Sequence, residues 1–192
     1  MVRQSVRTGM PLAEFVERYN RQPFELVGGE VVNLAPNVAG HQWVVQKLFL
    51  ALHGHVATRQ AGHVAIETPF VLKDDADWVK GSRTPDLGFY NAERWAAYTA
   101  STPDWKEKPY ILVPDLAIEV VSPNDRYSEI QDKVDSYLAD GVQVIWVVDP
   151  QRRTVVIHTA DSDQQTTRRD SDVLGDDDVL PGFSVPVKSL FE

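Results

Sequence analysis

A few charged residues stand where the surrounding sequence calls for apolar ones. Glu119 lies in the run Asp115-Leu116-Ala117-Ile118-Glu119-Val120-Val121, and strand alternation puts it on one face with Ala117 and Val121. An ionised carboxylate there costs several kcal/mol unless a cation or a metal compensates it. It reads as a metal ligand, as half of a structural ion pair, or as a strand end that reaches water. Asp86 follows Pro85 and opens the apolar run Leu87-Gly88-Phe89-Tyr90; aspartates also serve as ordinary strand-end or turn residues. Lys133 borders the stripe Ile130, Val134, Tyr137, Leu138 of a helix downstream of Glu119, where a lysine can lay its stem on apolar surface and keep its amine wet. Glu30 flanks the double glycine Gly28-Gly29, as a turn charge would. His41 shares a helical face with Val45, Leu48 and Leu52, the place of an ordinary half-buried helix-start histidine.

The elements that must position these residues follow from periodicity. Met10 to Asn20 predicts an amphipathic helix. Phe24–Val27 and Glu30–Leu34 around Gly28-Gly29 predict a hairpin, because two glycines supply the positive φ of a tight turn. Val44, Val45, Leu48, Leu52 and Val56 recur at helical spacing, so His41 to Val56 predicts a second helix. Val64 to Leu72 reads as one strand, Lys73 to Arg83 as a polar loop, Pro85 to Tyr90 as a short strand and Ala92 to Thr99 as a helical turn or two. Asp115 to Val121 is a strand, stopped by Ser122-Pro123-Asn124-Asp125, any polar member of which can cap the next helix. That helix spans Tyr127 to Asp140, with Gly141 at its left-handed end. Val144 to Val148 is an apolar strand of the doubly buried kind. Arg153 to Thr159 and further short strands follow, with Pro181-Gly182-Phe183 as a turn before Val185 to Phe191. Strand-helix-strand from Asp115 to Val148 implies a parallel pair, and the whole implies an α/β fold with a mixed sheet flanked by helices.

Composition narrows the function classes. The 192 residues are 43% hydrophobic and 24% charged, enough for one globular domain over 1–192. Cysteine is absent, which removes disulfides and thiolate metal sites. No apolar run is long enough to span a bilayer and Met1 to Gly9 lacks a signal-peptide core, so the expected location is the cytoplasm, with no membrane partner. The formal net charge of -9 argues against a broadly basic nucleic-acid surface and leaves room only for a local footprint. Asp161, Asp163, Asp170, Asp172, Asp176, Asp177 and Asp178 crowd the C-terminal fifth and read as solvated turns. There is no phosphate-binding glycine loop, no dinucleotide fingerprint and no Gly-x-Ser-x-Gly element, and His53 and His55, two apart on a helix, make a poor metal pair.

The order Arg83-Thr84-Pro85-Asp86, then Glu119-Val120-Val121-Ser122-Pro123-Asn124-Asp125-Arg126, then Lys133, then Gly141 to Pro150, resembles the bacterial Uma-type restriction-endonuclease family of the PD-(D/E)XK superfamily. The Phe24 to Glu30 hairpin, His41 and the closing Leu180-Pro181-Gly182-Phe183 match as well, so the resemblance runs from about Leu12 to Phe191. It implies a restriction-endonuclease-like core with an N-terminal hairpin and extra C-terminal strands, acting as a Mg²⁺- or Mn²⁺-dependent endonuclease on DNA more than RNA. Asp86, Glu119 and the carbonyl of Val120 would be metal ligands, and Lys133 would orient or help deprotonate the attacking water. Glu30 would hold a metal-bound water or a second ion, His41 would touch the scissile phosphate or tune Glu30, and Ser122 and Arg126 would contact phosphate. The superfamily's usual lysine stands two residues after the second acid, where this chain has Val121; in the Uma-type branch it has moved to the helix, at Lys133. Two other expectations stand beside this one: a non-catalytic interaction module on the same fold, and a hydrolase of small phosphodiesters. A homodimer is expected, with exposed aromatics such as Trp78, Trp95 or Trp105 at its interface.

Overall fold

The computed structural model describes residues 8–192 other than Ala76, Asn124 and Asp177; Asn124 as a candidate cap and Asp177 as a turn residue thus lie outside the described residues. In chain order come β1 (Met10–Pro11), α1 (Leu12–Arg21), β2 (Phe24–Val27), β3 (Glu30–Asn33), α2 (Ala39–Arg59), β4 (Gly62–Ile66), β5 (Phe70–Asp75), β6 (Trp78–Arg83) and β7 (Leu87–Asn91). They are followed by α3 (Ala92–Ser101), β8 (Leu116–Val120), α4 (Tyr127–Asp140), β9 (Val144–Asp149), β10 (Thr154–Thr159), β11 (Ser162–Arg169), β12 (Val173–Asp176) and β13 (Leu180–Pro186). The main sheet has the order β11-β10-β9-β8-β7-β4. Only β8 and β9 run parallel in it, joined through α4, so the sheet is mixed as the sequence implied. A smaller sheet contains β1, β6, β2 and β3 with β5 on β6, and β12 pairs with β13. Among the described residues no helix is long and apolar enough to cross a membrane.

Alternation along β8 and β9 sends side chains to two different cores. Leu116, Ile118, Trp146 and Val148 pack under α2 through Val44, Leu48 and Leu52, and the C-terminal Leu174, Leu180, Phe183 and Val187 close that side. Ala117, Ile145 and Val147 pack under α4 through Val134 and Tyr137. Fully buried side chains such as Leu48 and Trp146 each contribute roughly 2 kcal/mol of apolar burial. A third cluster joins Phe15 of α1 to Phe24, Leu26, Val71 and Val79 of the small sheet. Gly28 and Gly29, at φ +59° and +88°, make the β2–β3 turn as expected.

Four expectations need correction. The single strand over Val64 to Leu72 breaks at Glu67-Thr68-Pro69: β4 joins the main sheet and β5 the small one, since Glu67 takes a left-handed φ of +42° and Pro69 cannot extend a ladder. The polar loop over Lys73 to Arg83 is the β5–β6 hairpin; one wetted face dilutes its apolar pattern. Pro181-Gly182-Phe183 lies within β13. Trp78, Trp95 and Trp105 are not exposed but half-buried: Trp95 stacks on His63 at 3.9 Å and meets Trp105 edge-on, and Trp78 Nε1 donates to Thr8 O. The exposed tryptophan is Trp43, 51% accessible on α2. The acidic C-terminal residues Asp161, Asp170, Asp172 and Asp178 do lie in turns and bends, whereas Asp163 lies within β11 and Asp176 ends β12.

Candidate active site

Asp86 precedes the first residue of β7, at the end of the Thr84-Pro85 link from the small sheet to the main one. The β7–β8 register pairs Leu87 with Ile118, so Asp86 and Glu119 occupy the next positions along adjacent strands. Asp86 Oδ2 accepts from the Val120 N–H at 2.7 Å and lies 3.0 Å from His41 Nε2. A carboxylate oxygen only accepts, so Nε2 carries the hydrogen of that bond. His41 reaches it from the first turn of α2, where it is 4% exposed and its buried Nδ1 has no hydrogen-bond partner among the described residues.

Glu119 faces the α4 side, as its alternation with Ala117 required. Lys133 and Tyr137, one helical turn apart, both reach it: Lys133 Nζ donates to Oε2 at 2.7 Å and Tyr137 OH donates to Oε1 at 2.5 Å. Asp86, Glu119, Val120, Lys133, His41 and Ser122 all line one cleft of about 730 Å³. Burial raises the Glu119 pKa most, Lys133 opposes, and the charges of Asp86 and Glu25 add to the rise, which reaches about 7. The same pair raises Lys133 above its usual value, chiefly through the Glu119 charge. Burial works against a charged His41, but its bond to Asp86 and the charges of Asp86, Glu119 and Glu67 outweigh it, and its pKa rises.

The Uma2 family model, described as putative restriction endonuclease, matches residues 12–188. This chain belongs to the Uma2 family. A crystal structure of a putative nuclease belonging to DUF820 from Anabaena variabilis has the same fold, with a TM-score of 0.75 at 16% identity over 95% of this chain and 97% of that one. No curated protein matches the chain in sequence.

Two residues expected at the site of this Uma2 protein stand away from it. Glu30 opens β3 with its side chain in solvent and lines neither this cleft nor its neighbour, because the hairpin turn points it outward. Arg126 is exposed at the start of α4 and it too lies off both clefts; it holds the N-cap position, where its N–H donates to the Glu129 carboxylate and its own side chain caps nothing. Asp125, expected among the caps, instead accepts from the Ser122 N–H at 2.8 Å.

Glu25 and Glu67, not among the residues expected from the sequence, line the two clefts that share Glu119 and Lys133. Glu25, 4% exposed on β2, accepts from the Thr84 N–H at 2.8 Å and lines a second cleft of about 400 Å³ together with Glu119 and Lys133. The signal was a charge between Phe24 and Leu26 in an apolar strand, the same anomaly that marked Glu119. Glu67 lines the first cleft; its N–H donates to the Asp86 carbonyl at 3.0 Å, and one of its carboxylate oxygens takes both Asn37 and Gln42. Its left-handed backbone has no sequence signature.

Among the described residues no three His, Cys, Asp or Glu side chains converge as a ready metal cage. The donors present are the carboxylates of Asp86 and Glu119 beside the Val120 backbone. An all-oxygen set with so few protein ligands fits Mg²⁺ or Mn²⁺, since Mg²⁺ is typically held by one or two carboxylates and keeps several waters. Among the described residues the buried Glu119 carboxylate is paired with the Lys133 ammonium.

Proposed function

We propose that this Uma2 protein is a metal-dependent endonuclease that hydrolyses phosphodiester bonds of nucleic acid, DNA more than RNA. The observation that carries this reading is the convergence of Asp86, just before β7, with Glu119 of β8, Lys133 of α4 and His41 of α2 on one cleft. Asp86, Glu119 and the Val120 carbonyl would hold Mg²⁺ or Mn²⁺. When bound, the ion supplies charge relief at the phosphoryl oxygens and acidifies a water.

The chain's own groups do the rest. Lys133 remains an ammonium, given its raised pKa, so it orients the attacking water and stabilises developing negative charge rather than accepting the proton. His41 fixes the orientation of Asp86 through Nε2. Ser122, on the cleft wall, is placed to contact phosphate. Glu30 and Arg126 take no part in this reading.

One observation favours a non-catalytic interaction module instead: Glu67, Asp86, Glu119 and Asp125 outnumber Lys133 and His41 around the cleft, which repels a polyanion unless cations intervene. A cleavage assay on single- and double-stranded DNA and RNA, with Mg²⁺ or Mn²⁺ and with Glu119→Gln as control, separates the two. Metal-dependent cleavage lost in Glu119→Gln supports the endonuclease. No cleavage of any substrate with either ion supports the interaction module.

A further inference from the structure

We infer that Glu25 is a positioning residue: it is the carboxylate that receives the Lys133 ammonium when a divalent cation takes Glu119. The inference rests on the metal-binding reading above and concerns residues that reading leaves unused.

Glu119 Oε2 is occupied by Lys133 Nζ at 2.7 Å and Oε1 by the Tyr137 hydroxyl. A tyrosine donor is neutral and can remain beside a bound cation. An ammonium on the same carboxylate cannot remain without repelling the incoming charge, so Lys133 has to move. Its side chain is free enough to do so, being 42% exposed while that of Glu119 is 10% exposed. It lies on the boundary of two clefts, and both include Glu119. In the first cleft the carboxylates are Glu67, Asp86, Glu119 and Asp125. Asp86 is already a proposed metal ligand, and Glu67 is held by Asn37 and Gln42. In the second cleft stands Glu25, 4% exposed, with Oε1 on the Thr84 N–H.

Asp125, Glu129 and Asp132 also line the second cleft, but they are exposed, and water screens a solvated carboxylate. Glu25 is the buried one. Arg83 lines that cleft too, but it faces Asp140 at 3.3 Å and donates to the Leu26 and Ser82 carbonyls, so a buried anion beside Glu119 and Asp86 is itself unfavourable without a further cation. With the metal at Asp86 and Glu119 and the ammonium at Glu25, each buried charge has a partner. The move is a rotation of the lysine side chain with no bond made or broken. It leaves Lys133 next to the metal but off its ligand, where it can meet a water or a phosphate oxygen.

The test is a double-mutant cycle read by Mn²⁺ affinity, measured calorimetrically on the whole chain with Mn²⁺ alone. Glu25→Gln keeps an oxygen for the Thr84 N–H and removes only the charge; metal-free melting checks that it folds. Glu25→Gln is expected to weaken Mn²⁺ binding about tenfold in the wild-type background, where Lys133 loses its alternative partner. In a Lys133→Met background the same change is expected to alter affinity less than about twofold. Equal weakening in both backgrounds would make Glu25 a general anion or a direct ligand and overturn the inference. So would unchanged affinity in the wild-type background. Absence of Mn²⁺ binding by the unmutated protein overturns the metal reading itself, and the inference with it.

Discussion

Replacing Glu119 by Gln tests the metal site through stability rather than activity. The carboxylate is 8% exposed and its pKa is raised from 4.5 to about 7, first by burial. A folded-state value above the unfolded one means that the native state holds the proton to higher pH. The resulting penalty is absent below the unfolded value, grows as pH rises between the two, and is fully present above about pH 7. A rise of that size corresponds to about 3 kcal/mol at pH 8. Gln carries no charge there, keeps an acceptor for the Tyr137 hydroxyl and leaves the half-exposed Lys133 free to reach water. Metal-free Glu119→Gln is therefore expected to be as stable as the wild type at pH 8 or up to about 3 kcal/mol more stable. Metal acts in the opposite direction. Free Mn²⁺ at a hundredfold excess over its dissociation constant stabilises the wild type by about 2.7 kcal/mol, and each kcal/mol raises Tm by about 2–4 °C in a chain of this size. Thermal melts at pH 8 with and without millimolar Mn²⁺ are expected to show a gain of about 5–10 °C for the wild type and almost none for Glu119→Gln. A wild type indifferent to metal, together with a destabilised Glu119→Gln, would identify the carboxylate as the structural partner of Lys133 and Tyr137, and we would abandon the metal site.

Further outcomes follow from the same geometry. Asp86→Asn and Lys133→Met are each expected to lower cleavage by about a hundredfold or more, whereas Glu30→Gln, in solvent and off both clefts, is expected to leave the rate within about threefold; a strong loss in the last variant would return Glu30 to the site. Tyr137→Phe removes the hydroxyl from a fully buried ring and leaves Glu119 Oε1 without its donor, which is expected to lower unfolding free energy by about 1–3 kcal/mol in a denaturant titration. Burial lowers the His63 pKa, with the His53 charge adding to the effect. A histidine with a lowered folded-state value contributes stability above its unfolded pKa and loses it as pH falls through 6.5 toward the folded value. Melting temperature is thus expected to drop between pH 7 and pH 5 less steeply in His63→Phe than in the wild type, and parallel slopes would refute the assignment.

The sequence by itself determined the elements whose side chains repeat with a clean period. The α2 stripe from Val44 to Val56 and the helix Tyr127–Asp140 with Gly141 after it are local facts of spacing and backbone freedom. So are the glycine turn and the parallel β8–α4–β9 crossover. Glu119 was legible because a charge in an apolar strand is costly wherever the chain goes, whereas Lys133 stood out only through the family resemblance, since a lysine that borders a helix stripe is ordinary. The same rule applied to Phe24-Glu25-Leu26 would have exposed Glu25. Tertiary structure alone decided the rest. The β5–β6 hairpin hid behind one wetted face, and the break at Glu67 assigned its flanking strands to different sheets. Whether Glu30 faced solvent or the site depended on how the hairpin docked. The half-burial of Trp95 and Trp105 came from an aromatic cluster of residues distant in the chain. That Lys133 and Tyr137 both end on Glu119, while His41 ends on Asp86, also depended on packing, because a hydrogen bond between residues many positions apart is set by how helices sit on a sheet, and no local period records that.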